Sequence, residues 1–285
     1  TVTNPGDKVV IFSPFYENYG ADTILSGAKP VYVPLNPPQF DFDRKVLERA
    51  FCENRPKAIV LCNPSNPCGK VFTREELEFI ASLCKKYDAY CITDEVYEHI
   101  VYAPCRHTYM ASLPGMFERT ISCSSLSKTY SITGWRLGYT IAAPQITERI
   151  KKVHDFLTVG AAAPLQEAVV CALRFDQSYY DEVLALYTHK RDLFCKGLDE
   201  LGLVHNTPEG AYYVLMDISE FGYSSDLEFC EDLARLVKVG AVPGSSFCRE
   251  PVNHLIRFHF AKKDETLLAA LENLKSLRDM IPSRC

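Results

Sequence analysis

Through the first two thirds of the chain, short apolar blocks alternate with longer amphipathic stretches. The blocks Lys8–Pro14, Pro30–Leu35, Lys57–Asn63, Ala89–Asp94, Thr120–Ser124 and Leu137–Ala143 are almost continuously apolar. That pattern predicts strands covered on both faces rather than strands with one wet side. The stretches between them carry a helical period. Thr73-Arg74-Glu75-Glu76 has the form of a capping box, and the positions after it set Leu77, Ile80, Ala81 and Cys84 on one face. Asp43–Asn54 and Thr147–Leu157 repeat the pattern. Strands alternating with helices at this spacing predict an α/β fold, a mainly parallel sheet covered by helices on both faces.

The last third changes character. Gln177–Leu201 is one long helical pattern, followed by a strand at Ala211–Asp217 and a second capping signal at Ser225–Glu228. A strand at His254–Ala261 and a helix from Asp264 close the chain. These elements predict a smaller α+β domain joined through the long helix. The expected boundary is near residue 190, giving a large domain over 1–190 and a small one over 191–285.

Composition excludes several classes. Of 285 residues, 47% are hydrophobic and 24% charged, values of an ordinary globular chain and not of a disordered one. The net charge is −5 with no basic block, so no nucleic acid partner is expected. No apolar run approaches the ~18 residues of a membrane span, and the start carries no signal-peptide pattern. Twelve cysteines are scattered singly without a C-x-x-C pair, several inside strand-like runs such as Cys62 and Cys91. They read as small buried hydrophobes of a reduced, cytoplasmic protein, and zinc is not expected from them.

Ligands of open α/β sheets bind beyond the carboxyl ends of the strands. The residues that follow the strand-like runs are Pro14-Phe15-Tyr16, Asn63–Gly69, Asp94–Tyr97 and Ser124–Lys128. One rim thus gathers aromatics, amides, a carboxylate, hydroxyls and a lysine, a set suited to a planar, charged, phosphate-bearing heterocycle rather than to a metal. Taken alone, each residue has a plainer reading. Lys128 could be a solvated surface lysine. Asp94 could cap a helix. Asn63–Gly69 has the composition of a turn, and Arg257, set in the apolar run Leu255-Ile256-Arg257-Phe258, could answer an internal carboxylate.

The ordered set changes those odds. Asn63–Gly69, Asp94–Tyr97, Ser125-Leu126-Ser127-Lys128 with Gly134-Trp135-Arg136, Pro208-Glu209-Gly210-Ala211-Tyr212, Val242-Pro243-Gly244 and Arg257 together resemble the fold-type I, class I/II aminotransferases, which use pyridoxal 5'-phosphate (PLP). The resemblance spans nearly the whole chain. It implies that Lys128 forms the Schiff base with the cofactor and moves the substrate Cα proton. Asp94 is then the partner of the pyridinium nitrogen, which keeps the ring an electron sink. Asn66 and Tyr97 face the phenolic oxygen of the ring. Asn63 competes for the amide role, but Asn66 directly precedes Pro67-Cys68-Gly69, as the family motif requires. Tyr16 is the candidate to stack on the ring, with Phe15 and Tyr19 as neighbours. Ser125, Ser127 and Arg136 match the phosphate ligands, although Ser127 has a second reading as a shaper of the turn. Arg257, with Asn66, binds the substrate carboxylate. His99, His107 and His154 match no role.

The activity implied is transfer of an amino group from an L-amino acid to a 2-oxo acid by a homodimer, with wording closest to the aspartate and kynurenine/glutamine branches. The rival readings are a PLP-dependent lyase (a cysteine-conjugate β-lyase or an aminocyclopropane-carboxylate-synthase-like enzyme) and a catalytically dead fragment. The resemblance also leads one to expect roughly a hundred further residues ahead of Thr1, including a glycine/serine phosphate loop.

Overall fold

A computed structural model describes residues 1–283. Ten strands fall in two sheets. The first has seven strands in the order β3-β2-β1-β4-β5-β6-β7. These are β1 (Lys8–Ser13), β2 (Lys29–Asn36), β3 (Asp41–Phe42), β4 (Ala58–Cys62), β5 (Tyr90–Asp94), β6 (Thr120–Ser125) and β7 (Gly138–Ile141). β2-β1-β4-β5-β6 are parallel, and the two edge strands β3 and β7 run antiparallel. The mainly parallel sheet is therefore as expected.

Register sets the rim. Cys62 stands beside Asp94 across β4 and β5, and Asp94 beside Cys123 across β5 and β6. The residues that leave these three strands thus emerge together. The strand order reverses between β1 and β4, which opens the crevice that α/β sheets use for ligands.

Helices α1 (Asn18–Leu25), α2 (Arg44–Asn54), α3 (Arg74–Tyr87), α4 (Leu126–Thr129), α5 (Pro144–Thr158) and α6 (Ala163–Ala172) belong to this unit. One sheet face is heavily covered: Val10, Phe12, Ile59, Leu61 and Cys91 pack with Leu47 and Phe51 of α2 and with Leu77, Ile80 and Cys84 of α3. Thr73 caps α3 as expected, its hydroxyl accepting from Glu76 N while the Glu76 carboxylate accepts from Thr73 N at 2.8 Å. The opposite face carries smaller clusters, in which Ala28 meets Val9 and Ile11 and Ile146 of α5 meets Ile121.

α7 (Gln177–Glu200) leads to a three-stranded antiparallel sheet in the order β8-β10-β9, formed by β8 (Tyr213–Asp217), β9 (Val242–Pro243) and β10 (Leu255–His259). Its core joins Phe194 and Leu198 of α7, Phe229 of α8 (Asp226–Asp232) and Leu267 and Leu274 of α9 (Asp264–Leu274). Tyr97, Ile100 and Tyr102, from the turn after β5, enter the same core. The two sheets are therefore packed together at the rim.

Candidate active site

Asp94 ends β5, and a tight turn follows it rather than a helix. Its carboxylate accepts the Tyr19 hydroxyl at 2.6 Å and Val96 N at 3.2 Å. Burial pushes this carboxyl above its ordinary range, against the pull of Tyr19, Val96 N and the charge of Lys128. Tyr19, missed from sequence, comes from α1. It follows Tyr16 by three residues, a helical spacing that sets the two on one side, and their rings meet edge to face at 5.7 Å. Phe15 instead stacks on Tyr32 at 5.1 Å, which leaves Tyr16 as the aromatic beside the Tyr19–Asp94 pair. A groove of about 370 Å³ opens beside Asp94, lined among others by Tyr19, Thr23, Val60, Ile92 and Cys123.

The two asparagines divide their work. Asn63 Oδ1 accepts Phe72 N at 3.1 Å and so fixes the loop. Asn66 is buried, and its Oδ1 accepts from Arg257 Nη1 at 2.6 Å. Arg257 lies on the central strand of the small sheet, with its guanidinium 4.4 Å from the Tyr213 ring centre and 4.2 Å from that of Phe247. Among the described residues it makes no ion pair, so the internal salt bridge allowed by its sequence position does not form. A half-buried guanidinium without a carboxylate partner favours an anionic ligand.

Tyr97 is buried, and its hydroxyl meets that of Tyr213 at 2.8 Å. Its ring stands edge-on to Tyr212 and Tyr213. Burial, with the neighbouring phenols, raises its pKa well above the usual tyrosine value, so at neutral pH it keeps its proton and can donate. Tyr212 and Tyr213 are two further site residues missed from sequence, where a pair of tyrosines opening a strand reads as core.

Lys128 lies on the short helix α4, half-buried, its ammonium 6.0 Å from the Tyr212 ring centre. It too makes no ion pair among the described residues. Ser125 caps α4, its Oγ accepting from Ser127 N at 3.1 Å and donating to Leu137 O. Ser127 is buried on the same turn. Arg136 is exposed, with positive φ, and its Nη1 donates to Thr133 O at 2.9 Å. Asp94, Tyr19, Tyr97, Asn66, Arg257 and Lys128 therefore form one connected neighbourhood, while Ser125 and Arg136 are engaged in their own loop.

The donor set suits PLP. It holds a carboxylate for a ring nitrogen, protonated phenols and an amide for ring oxygens, and two cations lacking internal counterions.

Comparison with known proteins establishes the family and the fold. The model of the family described as aminotransferase class I and II matches residues 1–274. The chain belongs to that family. Its members use PLP. Kynurenine–oxoglutarate transaminase 3 of Mus musculus is 37% identical over 95% of this chain, and methionine aminotransferase of Escherichia coli is 36% identical over 95%. The chain spans 66% of the first of these relatives and 70% of the second. The solved N-succinyldiaminopimelate aminotransferase of Mycobacterium tuberculosis superposes with a TM-score of 0.93 at 35% identity, over 97% of this chain and 73% of that one. The mainly parallel seven-stranded sheet with its covering helices matches these solved aminotransferases.

Proposed function

We propose that the protein is a PLP-dependent aminotransferase that moves an amino group from an L-amino acid to a 2-oxo acid. The observation that carries this reading is the pair of cations without ion pairs, Lys128 and Arg257, set with the buried Tyr19–Asp94 pair at the rim where the two sheets meet. PLP, when bound, supplies an electron sink that acidifies the substrate Cα–H. The residues of the chain do the rest. Asp94 offers its carboxylate to the ring nitrogen, oriented by the Tyr19 hydroxyl. Tyr97 and Asn66 offer donors to the phenolic oxygen, Tyr16 the face of its ring, and Ser125, Ser127 and Arg136 the phosphate contacts. Arg257, aligned by Asn66 Oδ1, takes the substrate carboxylate on its free N–H groups. Lys128 Nζ moves the proton at Cα.

The donor we infer is of the kynurenine or methionine kind, supported by the 37% and 36% identity to transaminases of those names. A homodimer in a reducing, cytoplasmic compartment completes the proposal. The exposed apolar side chains of Phe156 and Leu157 support the first part, and the eleven free cysteines among the described residues support the second. The division into domains near residue 190 falls inside α7. In its first half Tyr179 donates to Thr129 O in the large unit, while Phe194 and Leu198 in its second half join the small core.

The test is a PLP titration of the purified chain followed by a panel of amino acids and 2-oxo acids. Uptake seen as a visible absorbance band, lost in Lys128→Ala, together with conversion of donor to keto acid and acceptor to amino acid, is expected. Ammonia with pyruvate as products would make it a lyase, and no PLP uptake would overturn the reading for this polypeptide.

A further inference from the structure

Beside the turn that follows Asp94 lies a second cluster that the aminotransferase chemistry does not use. It consists of Glu95, the first residue after β5, Glu98 one turn later, and His107 from the segment before the 3-10 turn Met110–Ser112. The turn is closed by Glu98 N donating to Glu95 O at 2.9 Å, which draws the two glutamates together. One ligand atom from each of the three residues can be chosen so that all lie within 4.8 Å of one another.

Two features set this cluster apart from an ordinary acidic surface. Glu95 is only 3% exposed, with the Thr93 hydroxyl beside its carboxylate and no cation paired with it among the described residues. His107 has both ring nitrogens buried with no partner. A buried imidazole that neither donates nor accepts is costly, as is a buried carboxylate without a counterion. Both costs vanish if a cation lies between them. Glu98 is already oriented for this, its Oε1 accepting from Ser124 Oγ at 2.9 Å and from Tyr139 OH at 3.2 Å. The other basic group close by is His99, whose Nε2 stands 4.0 Å from Glu98 Oε1 and whose ring lies against Tyr180.

We propose that Glu95, Glu98 and His107 form a site for one divalent transition-metal ion of the zinc class. A dication balances the two carboxylates. One imidazole with two carboxylate oxygens matches zinc-class preferences, whereas magnesium and calcium favour all-oxygen shells. Bonds of ~2.0–2.2 Å separate tetrahedral ligands by about 3.3–3.6 Å, so modest side-chain rotations close the trio on the ion and leave a fourth position for water. The site is independent of the proposed aminotransferase activity and needs no PLP.

Cobalt(II) is the probe. The purified chain, stripped with EDTA, is titrated with Co²⁺ and followed by visible absorption, and zinc content is measured after dialysis against Zn²⁺. One ion per chain is expected, with ligand-field bands of a nitrogen/oxygen site and without the intense near-ultraviolet thiolate band that cysteines would give. His107→Gln and Glu98→Gln, each checked for folding by circular dichroism without metal, should weaken Co²⁺ binding by about tenfold or more. No stoichiometric binding by the folded wild-type chain would overturn the proposal. A thiolate band, or binding undiminished in both folded variants, would place the metal on other ligands and overturn it equally.

Discussion

Tyr19 acts on the candidate site through Asp94. Its hydroxyl lies 2.6 Å from the carboxylate and opposes the effect of burial on it. A hydrogen bond to a charged group contributes ~1.5–3 kcal/mol, so Tyr19→Phe is expected to weaken PLP binding by about tenfold or more without loss of fold. Equilibrium dialysis of PLP against wild type and variant measures this, and equal affinity would reduce Tyr19 to packing. Arg257 is the other residue whose surroundings commit it. Two aromatic faces and Asn66 Oδ1 hold the guanidinium in one plane. Lysine cannot reproduce that fork. Arg257→Lys should therefore raise KM at least about tenfold for every accepted amino acid, and a donor series with unchanged KM would show that Arg257 does not bind the carboxylate.

At the scale of elements, α3 gives the sharpest expectation. Thr73 supplies one half of its cap, and Glu76 supplies the other half while also pairing with Lys70 at 3.0 Å. Lys70 is only 4% exposed and bonds Asp41 as well. Thr73→Ala should cost ~1 kcal/mol. Glu76→Ala should cost more, about 2 kcal/mol, because it also strips a buried ammonium of one counterion. Urea unfolding midpoints compare the two directly, and the reverse order would mean that Asp41 alone satisfies Lys70. The same helix shows why some of the fold could be read in advance: its cap, apolar face and length all agree. The strands β1 and β4 were equally legible because burial on both faces leaves them almost continuously apolar. α1 was not, since Glu17 precedes it with no side-chain cap and Gly20 interrupts it. α6 likewise begins without a side-chain cap. β3 and β9 have two residues each, too few to show a period. The site followed the same rule. Asp94, Asn66 and Lys128 announce themselves at strand ends and in motifs. Tyr19, Tyr212 and Tyr213 carry no polar signature beyond a hydroxyl, and only the packing of the two sheets shows what those hydroxyls meet.

The whole molecule depends on how closely its two units approach at the rim. Gly69 accepts from both Glu209 N and Gly210 N, and Ala211 N donates to Ile100 O, so the segment leading to β8 is laced to the loops that carry Asn66 and Tyr97. A Cβ on Gly210 would stand 2.7 Å from Pro64 and 2.9 Å from Ile100 O, one a ring in a hydrogen-bonded loop and the other backbone. Neither can swing aside like the tip of a long side chain. Gly210→Ala must therefore part the units slightly or shift the loop, at a cost of ~1–3 kcal/mol typical of overpacking. Because Asn66 sits on the loop that is pushed and Arg257 on the sheet behind Gly210, the Arg257–Asn66 bond should lengthen with it. The expected result is a lower urea midpoint together with a raised KM for amino acid donors. A Gly197→Ala control, inside α7, meets the flexible end of Leu271, which can rotate away, and should leave KM unchanged. If both variants shift KM alike, general loosening rather than the rim contact explains the effect; if Gly210→Ala changes neither quantity, the two units are free to adjust and the close approach does not set the geometry of the site.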